Sequence, residues 1–356
     1  MSAPSTPCAD QLLAWFKRHR RALPWRGPWG SKRDPYRVWL SEIMLQQTQA
    51  ATVVPRYEAF LDRWPTVDAL ARAQEREVLD AWAGLGYYRR ARNLHRAAQV
   101  IVTVWGGRFP GSVNDLESLP GVGAYTAAAI AALAFGVRTV AVDGNVARVL
   151  ARVFAIPTPA GRSSRRLQAI GATLAPEALP GEFAEALIEL GALVCRPREP
   201  RCDICPWQST CEAFRTDRTA DFPVSAPRKR PAVRYSVAFR LTNRRGEVLL
   251  RRQSDPGPFQ GMLVLPATPW AATRPSTAAV QAAQPPAPAW HRVAGLVEHG
   301  LTHLTLRTEI RAGATTRDPA PDEIWHPGRN DDQRLPAYTR KLLAHGAAPE
   351  PAASAR

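Results

Sequence analysis

Lysine is nearly missing from this sequence. Of 356 residues only Lys17, Lys32, Lys229 and Lys341 are lysines, and none lies between Lys32 and Lys229. A primary-amine nucleophile is therefore excluded from that whole stretch. The sequence also has no apolar run near the ~20 residues that cross a bilayer, and no apolar signal-peptide segment at its N-terminus. A cytoplasmic protein without a membrane partner is expected. Cysteine is scarce: there are five, and Cys195, Cys202, Cys205 and Cys211 fall within seventeen residues. A disulfide framework would spread cysteines along the chain, so this crowding points to a metal site. Cys8, in an N-terminus expected to be floppy, reads as an ordinary free thiol.

Arginine is abundant. Subtracting the 4 lysines from 47 basic residues leaves 43 arginines, and the formal net charge is +16. With no basic amphipathic helix, that surplus suits nucleic acid before a membrane surface. An arginine-favouring genome would give the same charge, so charge alone does not decide. The length suits two domains, and 45 % hydrophobic residues can bury a core in each.

Residues from about 10 to 215 read as successive helices. Asp34-Pro35 supplies an N-cap and a first-turn proline for a helix carrying Val38, Trp39, Ile43 and Leu45. Further helices are predicted over 75–83, 89–104, 124–135, 146–154 and 182–194, several ending at glycine. Around 219–233 the composition turns to proline and basic residues, an extended linker. Beyond it, 235–241, 247–251 and 302–310 alternate like strands, with a hairpin turn at 243–246. Residues 271–289, rich in Ala, Pro and Thr, are expected to form a disordered loop, and 346–356 a disordered tail.

Four local patterns carry chemistry. The cysteines are spaced C-x6-C-x2-C-x5-C, close enough for four thiolates to wrap one compact ion or cluster. Zinc sites more often use two C-x2-C knuckles and only one is present, which puts iron–sulfur ahead of zinc. Leu119-Pro120-Gly121-Val122-Gly123 precedes an alanine-rich helix. Its glycines allow close backbone approach, and the helix start favours an anion. A tight turn between packed helices would look similar, but the full pattern in a basic chain favours a DNA phosphate. Finally, Glu42 sits among Trp39, Leu40, Ile43 and Leu45, an apolar setting that keeps a carboxyl protonated. Asp143 directly precedes a helix, where an N-cap carboxylate stays ionised.

Residues 10–215 resemble the helix–hairpin–helix glycosylase superfamily. Four motifs are similar to those of adenine DNA glycosylases (the MutY family): Leu23-Pro24-Trp25-Arg26, Ser41-Glu42-Ile43-Met44-Leu45-Gln46-Gln47-Thr48-Gln49, Gly84-Leu85-Gly86-Tyr87-Tyr88 and Asp143-Gly144-Asn145-Val146. The resemblance implies an all-α glycosylase domain over 10–218, with a loop at 195–211 whose four cysteines hold a 4Fe–4S cluster. A linker at 219–233 then leads to an α+β Nudix-like lesion-recognition domain over 234–345. The implied activity is hydrolysis of the N-glycosidic bond of adenine opposite 8-oxoguanine or guanine in double-stranded DNA, by a monomeric, nucleoid-associated bacterial protein. Glu42 would protonate adenine and then guide water, and Asp143 would stabilise the sugar cation, with Asn145 and Tyr125 beside it. Superfamily members that also nick the strand carry a lysine where Tyr125 stands, so a monofunctional enzyme follows.

The same resemblance makes Trp25 and Arg26 the lining of the adenine pocket and Gln47 and Tyr88 wedges in the duplex. Leu45 and Thr48 join the DNA-contacting set, and Gly121 and Gly123 hold a phosphate. Pro258–Pro266 is similar to a Nudix strand, but no glutamate-rich helix follows, which excludes nucleotide pyrophosphatase chemistry. Thr302 and His303 match a lesion-reading loop, with Leu301 in place of its aromatic residue. Ala147 stands where many bacterial members have lysine, and residues 27–32 are longer than usual. The alternatives are a thymine or uracil mismatch glycosylase of the same superfamily, or a catalytically silent iron–sulfur DNA-binding protein.

Overall fold

A computed structural model describes residues 6–157, 159–224, 231–254, 257–301, 303–332 and 335–346. The chain divides into two compact units, Met1–Ala81 with Arg89–Pro227 and Trp82–Tyr88 with Arg228–Arg356.

The first unit is helical: α1 (Ala9–His19), α2 (Pro35–Leu45), α3 (Ala50–Arg63), α4 (Val67–Arg72), α5 (Glu75–Ala81), α6 (Arg89–Trp105), α7 (Val113–Glu117), α8 (Ala124–Phe135), α9 (Gly144–Val153), α10 (Ala160–Leu174), α11 (Pro180–Leu193) and α12 (Glu212–Arg215). α2 starts as its sequence dictates, with Asp34 accepting from the Tyr36 N–H at 2.9 Å and Pro35 in the first turn. α8 is buried on nearly every side and ends at Gly136, whose φ of 69° forms a left-handed cap. Leu12 and Phe16 of α1, Val146 and Leu150 of α9, and Phe183, Leu187 and Leu190 of α11 build one core with Trp207. Each such side chain contributes about 1.5–3 kcal/mol by leaving water. Ala147 lies inside this core at 5 % exposure, so its methyl is a packing group.

Two expectations need correction here. Cys8 does not belong to a floppy end: its carbonyl accepts from Trp207 Nε1 at 2.9 Å, tying the start of α1 to the cysteine loop, although the residue is exposed. The span read as linker begins as part of the helical unit, because Thr219–Asp221 forms a 3-10 turn and Phe222 is buried in its core. Residues 225–230 of that span lie outside the described residues, as do 347–356 of the expected tail.

Among the described residues, the second unit is a mixed sheet with two helices. It contains β1 (Ala232–Thr242), β2 (Val248–Arg252), β3 (Leu263–Val264), α13 (Thr277–Ala283), β4 (Trp290–Arg292), β5 (Val297–Gly300), β6 (Leu304–Ala314), β7 (Glu323–His326) and α14 (Ala337–Ala344). The strand order is β3-β2-β1-β6-β4, with β5 also on β6 and β7 also on β2. β1 and β6 run parallel, in register from Ala232↔Leu304 to Thr242↔Ala314, as a long crossover between them allows. Asn243 Oδ1 accepts from the Arg245 and Glu247 N–H groups and closes the β1–β2 hairpin. The span 271–289 is not a structureless loop. Ser276 caps α13 through the Ala279 N–H, and α13 buries Val280 against Val237 and Phe239.

Candidate active site

α2 carries Glu42 to the inside of the helical unit, where it is 7 % exposed. Burial, then the charges of Glu185 and Asp143, push its carboxyl from the ordinary 4.5 up to about 7; the Tyr125 hydroxyl, hydrogen-bonded to it, and Arg33 pull the other way. Tyr125 lies in the first turn of α8, and burial beside Glu42 and Asp143 raises its phenol well above the usual range. Glu42 is thus an acid that holds its proton up to neutral pH, the condition for general acid catalysis.

Asp143 is treated differently. Its Oδ1 accepts from the N–H groups of Asn145 at 2.9 Å and Val146 at 2.7 Å, and its Oδ2 from Asn145 Nδ2 at 2.9 Å. Three N–H donors thus converge on this carboxyl at the start of α9. Arg148 fixes Asn145 in turn: Nη2 donates to Asn145 Oδ1 at 2.9 Å and to the Gly191 carbonyl at 2.8 Å, and Nε to the Cys195 carbonyl at 2.7 Å. Gly191 is needed there, because a Cβ would stand 2.6 Å from that of Asn145.

The segment before α2 is clamped onto α11 by a ladder of charges, all buried except Arg21. Glu189 receives Arg21 at 2.7 Å and Arg26 at 3.0 Å, Glu185 receives Arg26 at 3.3 Å and Arg33 at 2.8 Å, and Glu182 lies 3.6 Å from Arg33. Burial alone would raise the Glu189 carboxyl, but the hydrogen bonds from Arg21 and Arg26 outweigh it and bring it down to about 2. Arg26 therefore has both acids as partners, and half-buried Trp25 rests edge-on against Tyr57 at 5.5 Å.

Gln47 follows the end of α2, exposed and held at φ 56°, a conformation few non-glycine residues adopt without a reason. Its setting is rigid. Arg90 Nη1 of α6 donates to the carbonyls of Ile43, Met44 and Gln46 and Nη2 to Thr48 Oγ1, satisfying the end of α2 where Leu45 sits half-buried. In the turn before α8, Gly121 takes φ 79° and a Cβ would come within 2.7 Å of Asn93. Gly123 heads α8 and supplies no side-chain cap to its first-turn amides.

Tyr88 is buried at 9 % exposure, whereas its neighbour Tyr87 is 48 % exposed at φ 49°. In the second unit His303 is exposed, and Thr302 lies outside the described residues.

The four cysteines Cys195, Cys202, Cys205 and Cys211 line one cavity with Val149, Arg152 and Leu190. Burial pushes the Cys205 thiol up to about 12, against a hydrogen bond from the Trp207 N–H; the Ala213 and Phe214 N–H groups likewise act on Cys211. Arg152 Nη1 lies 3.4 Å from Cys195 Sγ. N–H donors aimed at sulfur are what metal-bound thiolates require, and a thiol so placed stays protonated unless a metal replaces the proton. The donor set fits an iron–sulfur group, although among the described residues no cluster of three or more Cys, His, Asp or Glu has the arrangement of a bound single ion.

Residues 40–171 match the HhH-GPD superfamily of base excision DNA repair proteins. The chain is 42 % identical to the adenine DNA glycosylase of Mycolicibacterium smegmatis, over 69 % of this chain and 81 % of that protein. The chain belongs to the adenine DNA glycosylase family. It is also 46 % identical to the human adenine DNA glycosylase over 59 % of its own length, yet that span covers only 40 % of the human protein. Among solved structures, a thermostable thymine-DNA glycosylase is similar with a TM-score of 0.52 and 29 % identity, over 58 % of this chain and 95 % of that one. Within this family fold, Glu42, Tyr125 and Asp143 lie close enough to act on one another's charge. Arg33, Glu182, Glu185, Glu189 and Arg90 were not singled out by sequence reasoning. The three glutamates do share one face of α11, a spacing that could have flagged them.

Proposed function

We propose that this protein is a monofunctional adenine DNA glycosylase acting on adenine opposite 8-oxoguanine or guanine in double-stranded DNA. The observation that carries the reading is a buried Glu42, its carboxyl raised to about 7 and in the company of Tyr125 and of an Asp143 that receives three N–H donors. Glu42 gives its proton to adenine N7. The C1′–N9 bond then breaks with its electron pair passing to the base, and Asp143 stabilises the positive sugar. Water adds to C1′ and returns a proton to the Glu42 carboxylate, leaving free adenine and an abasic site. With Tyr125 in place of an amine, no Schiff base forms and the strand is not cut.

The flipped base leaves a gap in the stack. Gln47, with its strained backbone, and Tyr87 suit a wedging role, and the Gly121–Gly123 turn suits a backbone phosphate. Trp25 and Arg26, with Glu185, suit the base pocket. Cys195, Cys202, Cys205 and Cys211 would hold a 4Fe–4S cluster, which when bound supplies iron–thiolate bonds that cross-link the loop to the end of α11. The second unit we read as a Nudix-like module that reads the opposite base through Thr302 and His303. A monomeric, nucleoid-associated cytoplasmic protein completes the proposal. The likeness to a thymine-DNA glycosylase keeps thymine opposite guanine as the rival substrate.

Excision assays on duplexes containing A opposite 8-oxoguanine, A opposite G, T opposite G and U opposite G, with and without alkali, separate these readings. Strand breaks appearing only after alkali, and fastest on the first duplex, are expected. Preference for T or U, or breaks without alkali, would overturn the assignment.

A further inference from the structure

Arg152, in the last turn of α9, is 3 % exposed and takes no step in the chemistry above. A buried cation is tolerated only with partners. Among the described residues its hydrogen bonds go to four backbone carbonyls and one sulfur, and to no carboxylate. Nε donates to the Thr219 carbonyl at 2.9 Å and to the Phe222 carbonyl at 3.0 Å. Nη1 donates to the Arg196 carbonyl at 2.7 Å and to Cys195 Sγ at 3.4 Å, and Nη2 to the Pro197 carbonyl at 3.1 Å.

These partners bracket the cysteine loop. Cys195, Arg196 and Pro197 open it, and Thr219 and Phe222 follow its last cysteine, Cys211. One planar guanidinium thus ties the entry of the loop to its exit, with more donors than a lysine ammonium has. It also lines the cavity around the four cysteines. Arg148, one turn earlier, holds the Cys195 carbonyl while Arg152 holds the sulfur. Carbonyl dipoles solvate the Arg152 guanidinium but leave its full charge uncompensated. Four thiolates around an iron–sulfur core carry a net negative charge, and that is the counter-charge this arginine otherwise lacks.

We propose that Arg152 is the positioning residue of the cysteine loop: it clasps entry to exit and sets a fixed positive charge against the iron–sulfur group through Cys195. The inference rests on the cluster assignment above and adds the chain's own counter-charge to it. A fixed cation favours the more negative, reduced state of such a group, so its presence raises the reduction potential. The two roles separate by substitution. Lysine keeps the charge and loses most of the clasp, whereas methionine loses both.

The test compares the full-length wild type with Arg152→Lys, Arg152→Gln and Arg152→Met. Iron and sulfide content, the midpoint potential of the bound group, and hydrogen exchange of the amides in 195–211 and 219–222 are measured on each. In the Met and Gln variants the midpoint falls by about 59 mV or more, equivalent to a tenfold change in the ratio of reduced to oxidised group for one electron. The Lys variant stays nearer the wild type than Met does. All three variants exchange roughly tenfold faster over both flanks of the loop. An unmoved midpoint in Met and Gln, a Lys variant shifted as far as Met, or wild-type exchange in the variants overturns the proposal. A purely structural arginine would move Lys and Met together. If the Met variant does not fold, the Gln variant, which keeps an amide donor for one carbonyl, decides in its place. A wild type free of iron and sulfide would defeat the cluster assignment instead. Exchange over the two flanks would then still decide whether Arg152 is the clasp.

Discussion

Replacing Glu42 by glutamine should make the protein more stable and catalytically dead. The carboxyl is moved from the ordinary 4.5 to about 7 by burial and by Glu185 and Asp143. Between those values the folded chain binds the proton more tightly than the unfolded chain. Wild-type stability therefore falls as pH rises through that window, and the full deficit is present above about pH 7. A difference of about 2.5 pH units at about 1.4 kcal/mol each amounts to about 3–4 kcal/mol. Glutamine is neutral throughout and keeps an oxygen for the Tyr125 hydroxyl, so it recovers most of that sum. For a unit of this size the gain corresponds to a melting point raised by roughly 6–12 °C near pH 8, against less than about 1 kcal/mol near pH 5. Paired thermal melts of holoprotein at the two pH values measure it. No gain near pH 8, or the same gain at both, would refute an electrostatically penalised Glu42. The same variant should lose about 10²–10⁴-fold in adenine release while keeping its affinity for mispaired duplex.

Other outcomes follow from single residues. Tyr125→Lys places an amine beside Asp143 and should gain strand nicking without alkali, trappable by borohydride as a covalent adduct with DNA. Gln47→Gly relieves the left-handed backbone at φ 56° and should stabilise the fold by about 1 kcal/mol while weakening engagement of the mispair, read by melting and by fluorescence of a base analogue next to the lesion. Cys205→Ser should lower bound iron and visible absorbance, and destabilise the helical unit on heating; unchanged iron content would remove Cys205 from the ligand set.

Much of the site could be read from local sequence because its determinants are local. Asp143 caps a helix two and three residues away, Gly123 and Gly136 bracket α8, and the cysteines lie within one loop. The charge ladder could not be read that way. Arg26 and Glu185 are 159 residues apart, and no arginine in a chain with 43 of them advertises its partner. Arg90 was hidden for the same reason. The Tyr87–Tyr88 pair shows another limit: adjacent identical residues differ only in backbone conformation, which places one ring in the core and the other at the surface. α13 was missed because Ala/Pro-rich composition reads as disorder until Val280 finds a strand face to bury against.

The two carboxylates of the site are driven to opposite roles by unlike means, and α11 serves both. Its acid face brings Glu185 to Glu42, where a second negative charge in a buried place favours the neutral acid. Its C-terminal part, through Gly191, makes room for Asn145, which supplies two of the three donors on Asp143. The same helix runs on to Cys195, whose carbonyl receives Arg148. A displacement of α11 would therefore bring Glu42 nearer its ordinary carboxylate state and loosen the Asn145 side-chain amide that donates to Asp143. Cleavage by this route needs a proton donor and an anion at once, so the combined loss from changes at both ends of α11 should fall short of the sum of their separate effects in a double-mutant cycle, as for groups acting as one unit.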